Sequence, residues 1–220
     1  MNFSFDNQGI EVICGVFSIQ NGKIVTYLVP NGPGSFVLPH GEIYNNESCE
    51  KGLNRILNDT YNIRCIEYSD QFHTFSDPYR SMYKRMIAVG YIAVSNDKEL
   101  TSWYDVNNLP PLALDHKNIL NKAMETLKSK LMKSNIASLF LPNKFTFPQL
   151  QSVYETILQC EFDRRNFRRK FLSLDIIRLT GEKEVVSGHR PGLYYEFINE
   201  GYKELEVFSF DKRRWLNERI

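Results

Sequence analysis

Basic side chains are concentrated in residues 163–170, a stretch whose composition could contact nucleic acid. Five of these eight residues are Lys or Arg, a sixth is Asn166, and the only acid is the first residue. Phe167, Phe171 and Leu174 follow at spacings of four and three, which places an apolar stripe on one helix face and turns the basic side chains outward. A solvated charged face would be expected to carry acidic partners for intrahelical ion pairs, but Asp163 is the only acid for four arginines. The pattern therefore favours contact with DNA.

Arginine pairs bidentately with guanine and asparagine with adenine in the major groove, and either side chain can bind phosphate instead. The residues of this helix expected to contact DNA are Arg164, Arg165, Asn166, Arg168, Arg169 and Lys170. Lys144 and Thr146 lie at the start of another predicted helix, where backbone N–H groups suit a DNA phosphate. In the loop 181–191, the candidates for contact with the DNA backbone or minor groove are Lys183, His189 and Arg190. For each of them, a place in an ordinary β-hairpin tip is almost as good an interpretation.

A second pattern has the spacing of a metal-binding helix. Gly41, Glu47 and Arg55 are separated by five and seven residues, and the aliphatic residues Leu57 and Ile63 follow. This resembles the Nudix box, in which three carboxylates at positions i, i+3 and i+4 gather divalent metal on one helix face and activate a water against a pyrophosphate. The match implies a Nudix fold, with chance matches on an amphipathic helix as the alternative.

The carboxylates on which that chemistry depends are mostly replaced. The three positions are Ile56, Asp59 and Thr60, and Asn62 stands where the closing turn has glycine. The resemblance therefore argues against Nudix hydrolysis, and we expect no catalytic residue, no bound metal and no cofactor. The competing hypothesis is a divergent Nudix hydrolase that acts on a nucleoside diphosphate derivative through Glu47, Asp59 and carboxylates from elsewhere.

The elements that must position these groups are mainly strands in the first part of the chain. Asn21-Gly22 is a hairpin signal between two runs rich in Val and Ile. The predicted strands are 10–20, 23–29, 35–38, 63–75 and 84–95. Helices are predicted over 47–58 and 115–133 from their apolar spacing, and residues 103–112 are predicted to be irregular.

The pattern changes after residue 133. Residues 134–145 are predicted to be a linker, and Thr146-Phe147-Pro148-Gln149 has the spacing of a capping box. Two helices and then strands at 176–180 and 193–197 are the outline of a winged helix-turn-helix domain, whose first helix must then be short or come from the linker.

Motifs along most of the chain closely resemble the Nudix-related transcriptional regulators. They include Leu139-Phe140-Leu141-Pro142, the basic helix, Thr180-Gly181-Glu182 and Arg190-Pro191-Gly192-Leu193-Tyr194, with Phe75-Ser76-Asp77-Pro78 and Leu112-Ala113-Leu114-Asp115-His116 in the first part. The resemblance implies a mixed α/β (α+β) fold class: an N-terminal Nudix α/β/α sandwich (1–134), a C-terminal winged helix-turn-helix (135–198) and an extension (199–220). It also implies a homodimer that binds double-stranded operator DNA, as a regulator and more specifically a repressor, under control of a small-molecule effector.

The effector is expected to be a sugar or an ADP-ribose-like nucleotide. Residues 30–35 contain no Lys or Arg, where nucleotide-recognising relatives often carry basic residues, and this favours an uncharged metabolite. The candidate pocket residues are His40, Glu47, Arg55, Asp59, Asp77 and Arg80. A structural role is the alternative for each of them.

The composition is that of an ordinary globular protein. The chain has 220 residues, with 27 Lys+Arg against 26 Asp+Glu and 42% hydrophobic residues. No apolar run approaches the length of a membrane helix, the start has no secretory signal, and the cysteines are scattered, so we expect a cytoplasmic protein with reduced thiols and no membrane partner. The near-zero charge argues against binding nucleic acid through bulk basicity.

Overall fold

The computed structural model describes residues 8–97, 99–184, 191–198 and 201–205. The chain divides into two compact units. The first contains residues 8–18 and 24–126, and the second contains the described residues of 19–23 and 127–205. The helix His116–Lys133 begins in the first unit and ends in the second.

A six-stranded mixed sheet organises the first unit. Its strands are β1 (Gly9–Gln20), β2 (Lys23–Tyr27), β5 (His40–Glu42), β6 (Ile66–Phe75), β7 (Met86–Ser95) and β8 (Trp103–Asp105), and a separate pair is formed by β3 (Val29–Pro30) and β4 (Phe36–Val37). The strands of the large sheet pair in the order β6-β7-β1-β2-β8, with β5 also paired to β1. The central strands β1 and β7 are parallel, from Gly9 opposite Met86 to Phe17 opposite Val94. The other strand pairs with recorded register are antiparallel.

The predicted hairpin is confirmed. Asn21 and Gly22 both have positive φ, 50° and 71°, the conformation that a two-residue turn between twisted strands requires. The prediction for Trp103-Tyr104 was wrong: these residues form β8, because Tyr27, Thr26 and Val25 pair with them and with Asp105.

Alternating side chains of β1 form the two faces of the sandwich. Val12, Cys14 and Val16 are buried against α1 (Cys49–Arg55) and the π-helical turn Ile56–Thr60 that continues it. Glycine at position 15 faces the other way, where an added Cβ would lie 3.1 Å from the Cβ of Ala123 in α2 (His116–Lys133). The sheet therefore lies between the two helices, as the predicted α/β/α sandwich requires.

The second unit holds the helices and small sheet of a winged helix. A 3-10 helix (Ile136–Phe140) forms within the predicted linker and supplies the short first helix. It is followed by β9 (Phe145–Thr146), α3 (Phe147–Leu158), α4 (Arg164–Ser173), β10 (Ile177–Lys183) and β11 (Leu193–Phe197). The three strands pair in the order β10-β11-β9. All four cysteines are free, and no helix among the described residues is long and apolar enough to cross a membrane.

Candidate nucleic-acid interface and ligand pocket

Helix α4 presents its basic side chains because aromatic residues bury its other face. The carboxylate of Asp163 caps the helix by accepting a hydrogen bond from the N–H of Asn166 at 2.8 Å. Phe167 and Phe171 are fully buried, and both rings pack against Tyr154 of α3, at 5.6 and 5.0 Å between centroids. The arginines between them therefore point away from the core.

The five cations of this helix are not equivalent. Arg164 and Arg165 are exposed, and neither makes a hydrogen bond or ion pair with any residue that the structure describes. Arg169 donates to Asn166 Oδ1 at 2.9 Å, and Lys170 is half-buried. Arg168 donates to the hydroxyl of Tyr195 at 2.6 Å. The two N-terminal arginines are therefore the ones most available to another molecule.

Polar side chains fix the turn between α3 and α4. Gln151 Nε2 donates to Glu155 Oε1 at 2.8 Å and to the carbonyl of Phe162 at 2.9 Å, and the N–H of Phe162 donates to the same carboxylate at 2.9 Å. Gln159 ends α3 in the left-handed region with φ of 58°. These contacts set the position of α4 on α3, and no pattern in the sequence indicated them.

Two of the flanking DNA candidates, Lys144 and Thr146, already have intramolecular partners. Lys144 pairs with Glu182 at 2.5 Å, and this hydrogen bond raises the pKa of its ammonium group. Thr146 is buried in the predicted capping box, where its N–H and its hydroxyl lie 2.7 and 3.1 Å from Gln149 Oε1. Lys183 is exposed at the end of β10. His189 and Arg190 lie outside the described residues.

In the first unit, Glu47 and Arg55 of the Nudix-like pattern bind each other. Arg55 Nη2 and Nε donate to the two carboxylate oxygens at 2.5 and 3.1 Å, and the N–H of Tyr44 donates to Oε1 at 2.7 Å. The guanidinium also lies 3.9 Å above the ring of Tyr44. The bonds from Arg55 outweigh desolvation and lower the pKa of Glu47. This pair fastens α1 to the loop before it.

The positions of the Nudix carboxylates hold no metal-binding geometry. Ile56 is only 2% exposed and packs on Gly41, where an added Cβ would lie 2.9 Å from its Cδ1. Asp59 and Thr60 are exposed in the π-helical turn. Across the part of the chain that the structure describes, no three His, Cys, Asp or Glu side chains are grouped so that they could hold a metal ion.

A cavity of about 320 Å³ whose lining includes several charged side chains opens elsewhere in this unit, against the first turn of α2. Arg80, which is 8% exposed, lies at its floor between two carboxylates. It donates to Glu11 at 2.6 Å and, through two nitrogens, to Asp115 at 3.0 and 3.2 Å. Burial opposes ionisation of Glu11, but hydrogen bonds from His40 and Arg80 outweigh it and lower its pKa.

Two histidines line the same cavity. The N–H of Leu38 donates to Nδ1 of His116 at 3.0 Å, so the neutral ring carries its proton on Nε2. His116 is 1% exposed, and burial, reinforced by the neighbouring His40 and Arg80, lowers its pKa to about 4. His40 lies with its ring centroid 5.0 Å from that of His116 and its Nδ1 3.4 Å from Glu11.

The structure brings together only part of the predicted ligand set. His40 and Arg80 line the cavity, whereas Glu47 and Arg55 bind each other. Asp77 caps a turn by accepting from the N–H of Tyr79 at 2.7 Å. The sequence reasoning missed Glu11, Glu42, Lys84 and His116 of the lining, together with Asp115. A charged residue inside an apolar strand was the available signal for Glu11.

Residues 137–197 match the family of the NrtR DNA-binding winged helix domain. The chain is 23% identical over 214 residues to the ADPR responsive transcriptional repressor NtrR of Acinetobacter baylyi, covering 88% of this chain and 83% of that protein. It is 26% identical to Shewanella oneidensis NrtR complexed with a 27mer DNA, with a TM-score of 0.72, 86% of this chain and 93% of that chain covered. A MutT/nudix family protein from Enterococcus faecalis shares the fold at 18% identity and a TM-score of 0.70, over 89% and 90% of the two chains.

The comparisons confirm the resemblance to the Nudix-related regulators. A winged helix of the NrtR type follows a Nudix-type α/β/α sandwich, as predicted. The similarity to a repressor agrees with a regulator in preference to an enzyme.

Proposed function

We propose, from the NrtR-type winged helix in residues 137–197, that this protein is a transcriptional repressor whose DNA affinity is controlled by a metabolite bound to its Nudix-type unit. The observation that carries the proposal is the exposed face of α4, where Arg164 and Arg165 have no partner among the described residues. Guanidinium groups on the N-terminal turn of such a helix suit base edges and phosphates of the major groove. The winged helix and repressor relatives support this role over the alternative of a hydrolase.

The working form is expected to be a cytoplasmic homodimer that binds a palindromic operator through half-sites about one helical turn apart. The whole chain carries a formal charge of only +1, so bulk attraction to DNA is weak. Two matched half-sites supply the affinity that one lightly charged protomer lacks. The division at residues 134 and 198 remains our proposal for the domain limits.

The proposed effector site is the cavity at the first turn of α2. Two carboxylates, Glu11 and Glu42, belong to its lining and can accept hydrogen bonds, and Asp115 pairs with the lining residue Arg80. Such a site favours hydroxyl groups and disfavours a bare phosphate. Its volume of about 320 Å³ is at the low end for ligand pockets, which fits a pentose better than a whole dinucleotide.

An ADP-ribose-like effector would then place its terminal ribose in the cavity and its phosphates outside, near Lys84 at the rim. A free sugar would use the same contacts. The name of the Acinetobacter relative, an ADPR responsive repressor, favours the nucleotide. Either ligand acts only through a difference in affinity between two states of the protein, typically worth about 1–3 kcal/mol of coupling.

Hydrolysis is not part of the proposal. A metal site at the Nudix-like pattern would need carboxylates at Ile56 and Thr60, and Glu47 is already bonded to Arg55. Phosphate release from ADP-ribose with Mg²⁺ or Mn²⁺ tests this point. Robust turnover that Asp59→Ala abolishes would establish the enzyme instead.

Fluorescence anisotropy with the DNA upstream of the protein's own coding sequence tests the repressor assignment. The variant Arg164→Ala/Arg165→Ala is expected to bind that DNA at least tenfold more weakly, since each lost contact to a base or phosphate costs about 1 kcal/mol or more. The matched control Lys51→Ala/Lys117→Ala removes the same charge from exposed sites in the first unit and is expected to bind normally. Equal affinities of the two double variants would refute the interface.

Calorimetric titration with ADP-ribose, ribose and AMP tests the effector site. Binding of ADP-ribose and ribose, with AMP much weaker, is expected if the cavity holds a free ribose. Asp115→Asn should weaken both, whereas Asp59→Asn at the Nudix-like pattern should not. AMP binding as tight as ADP-ribose, unaffected by Asp115→Asn, would place the effector elsewhere.

A further inference from the structure

One arginine of α4 has partners within the protein, although it is exposed like its neighbours Arg164 and Arg165. The guanidinium carbon of Arg168 lies 4.6 Å from the ring centroid of Phe147 and 5.5 Å from that of Tyr195. Its Nη2 also donates a hydrogen bond of 2.6 Å to the hydroxyl of Tyr195. Arg168 therefore makes two cation–π contacts and one short hydrogen bond within the protein.

The partner hydroxyl depends on this bond. Tyr195 is 2% exposed, and its ring meets Phe147 edge to face at 4.7 Å between centroids. A buried tyrosine hydroxyl requires a hydrogen-bond partner, since leaving it unpaired costs its full desolvation. Among the residues that the structure describes, Arg168 provides the only hydrogen bond recorded for this hydroxyl. If the Arg168 side chain turned towards a phosphate, the Tyr195 hydroxyl would lose its hydrogen bond and the guanidinium would lose its contacts with the rings of Phe147 and Tyr195.

The contact joins three elements of the winged helix. Phe147 is the first residue of α3, Arg168 is in the middle of α4, and Tyr195 is in β11. Within the small sheet, Tyr195 lies opposite Phe145 of β9 on one side and Leu179 of β10 on the other. The guanidinium therefore links the basic helix to the sheet whose strands β10 and β11 flank the loop after Lys183.

We infer that Arg168 is a positioning residue, which fixes the angle between α4 and the β10-β11 ribbon and does not itself contact DNA. The inference rests on the proposed DNA-binding function. It divides the basic helix into Arg164 and Arg165, which contact the operator, and Arg168, which holds the helix and the ribbon so that both reach the same duplex. Lysine cannot replace it, because the planar guanidinium both stacks and donates in one fixed geometry.

Salt dependence of DNA binding separates positioning from contact. A cation that neutralises a phosphate contributes about 0.9 to the slope of log affinity against log salt, whereas a residue that acts through another contributes nothing. Tyr195→Phe removes the partner hydroxyl and leaves every cation in place. If Arg168 acts through Tyr195, this variant should weaken operator binding about as much as Arg168→Lys does, by roughly tenfold, the loss of one charge-assisted hydrogen bond.

The experiment measures operator affinity by anisotropy over a series of salt concentrations, after stoichiometric titration has given the active fraction of each protein. Tyr195→Phe and the charge-removing Arg168→Gln are expected to lose affinity with the slope of the unmodified protein, and Arg165→Ala to lower the slope by about one per protomer. Normal binding by Tyr195→Phe, or a reduced slope or loss of discrimination at one base pair in Arg168→Gln, would overturn the inference alone. Failure of the unmodified protein to bind any operator fragment would overturn the proposed function, and the inference with it.

Discussion

Acidification should destabilise the first unit through His116. Its Nδ1 accepts the hydrogen bond from Leu38, and protonation of the ring would place a buried positive charge beside Arg80 and break that bond. The pKa in the folded protein is accordingly lowered from 6.5 to about 4. Between these values the unfolded chain binds a proton that the folded protein does not, so the free energy of unfolding falls as the pH drops through this window.

The magnitude follows from the two pKa values. The gap between 6.5 and about 4 corresponds to at most about 3 kcal/mol, reached only below the lower value. At pH 5 the loss relative to pH 7.5 is about 2 kcal/mol, because most unfolded chains are then protonated and most folded molecules are not. Substitution by glutamine removes the titrating group while its side-chain oxygen can still accept from the N–H of Leu38.

Urea unfolding at pH 7.5 and pH 5 measures this difference. The chain has two tryptophans, so a Trp215→Phe background leaves Trp103 of the first unit as the sole tryptophan, whose fluorescence is followed with excitation that tyrosine does not absorb. In that background, the free energy of unfolding of His116→Gln should fall by about 2 kcal/mol less than that of the parent between pH 7.5 and pH 5. His73→Gln, which removes an exposed histidine of β6, is the control and should follow the parent. Equal losses in His116→Gln and the parent would refute the buried neutral imidazole.

Three further substitutions test the packing and the charge pairs around the two sites. Arg80→Met should destabilise the first unit by about 3–5 kcal/mol in urea unfolding, because it leaves two carboxylates facing each other without their cation; a loss below 1 kcal/mol would contradict a buried ion pair. Gly41→Ala should cost about 1–3 kcal/mol, since its Cβ would meet Ile56 Cδ1 at 2.9 Å, and Ile56→Val should restore part of the loss by removing that atom. Phe167→Ala should lower the free energy of unfolding of the second unit by about 3–5 kcal/mol, measured by thermal unfolding, and should weaken operator binding as well. If the variant is fully folded in the binding assay and still binds the operator normally, α4 is not part of the interface.

Features that depend on neighbouring residues could be predicted from the sequence. The Asn21-Gly22 turn was predictable because each residue by itself favours positive φ and the strands on both sides are rich in Val and Ile. The basic helix was predictable because Phe167 and Phe171 give its apolar period and Asp163 its cap. Both features are specified within a few residues, so no distant partner was needed to recognise them.

Features that depend on distant partners could not be predicted. Arg80 meets Glu11 and Asp115 across 69 and 35 residues of sequence, and either carboxylate could have been placed on the surface instead. The strand at Trp103 exists only because β2 offers it an unpaired edge. For the same reason Arg168 could not be distinguished from its neighbours by composition: its role is set by a tyrosine 27 residues away in β11.

The salt dependence of DNA binding can be estimated once the cations with intramolecular partners are distinguished from those without. Residues 1–136 hold 13 Lys+Arg and 14 Asp+Glu, net −1, and residues 137–220 hold 14 and 12, net +2. All four arginines of α4 are exposed, but Arg168 and Arg169 have intramolecular partners, which leaves Arg164 and Arg165 of each protomer as the arginines without a partner among the described residues. A dimer that contacts phosphates mainly through these four guanidinium groups should have a slope near −4 for log affinity against log salt. A slope near −8 or steeper would mean that further cations bind phosphate, and would place the exposed Lys183 and a Lys144 released from Glu182 in the interface.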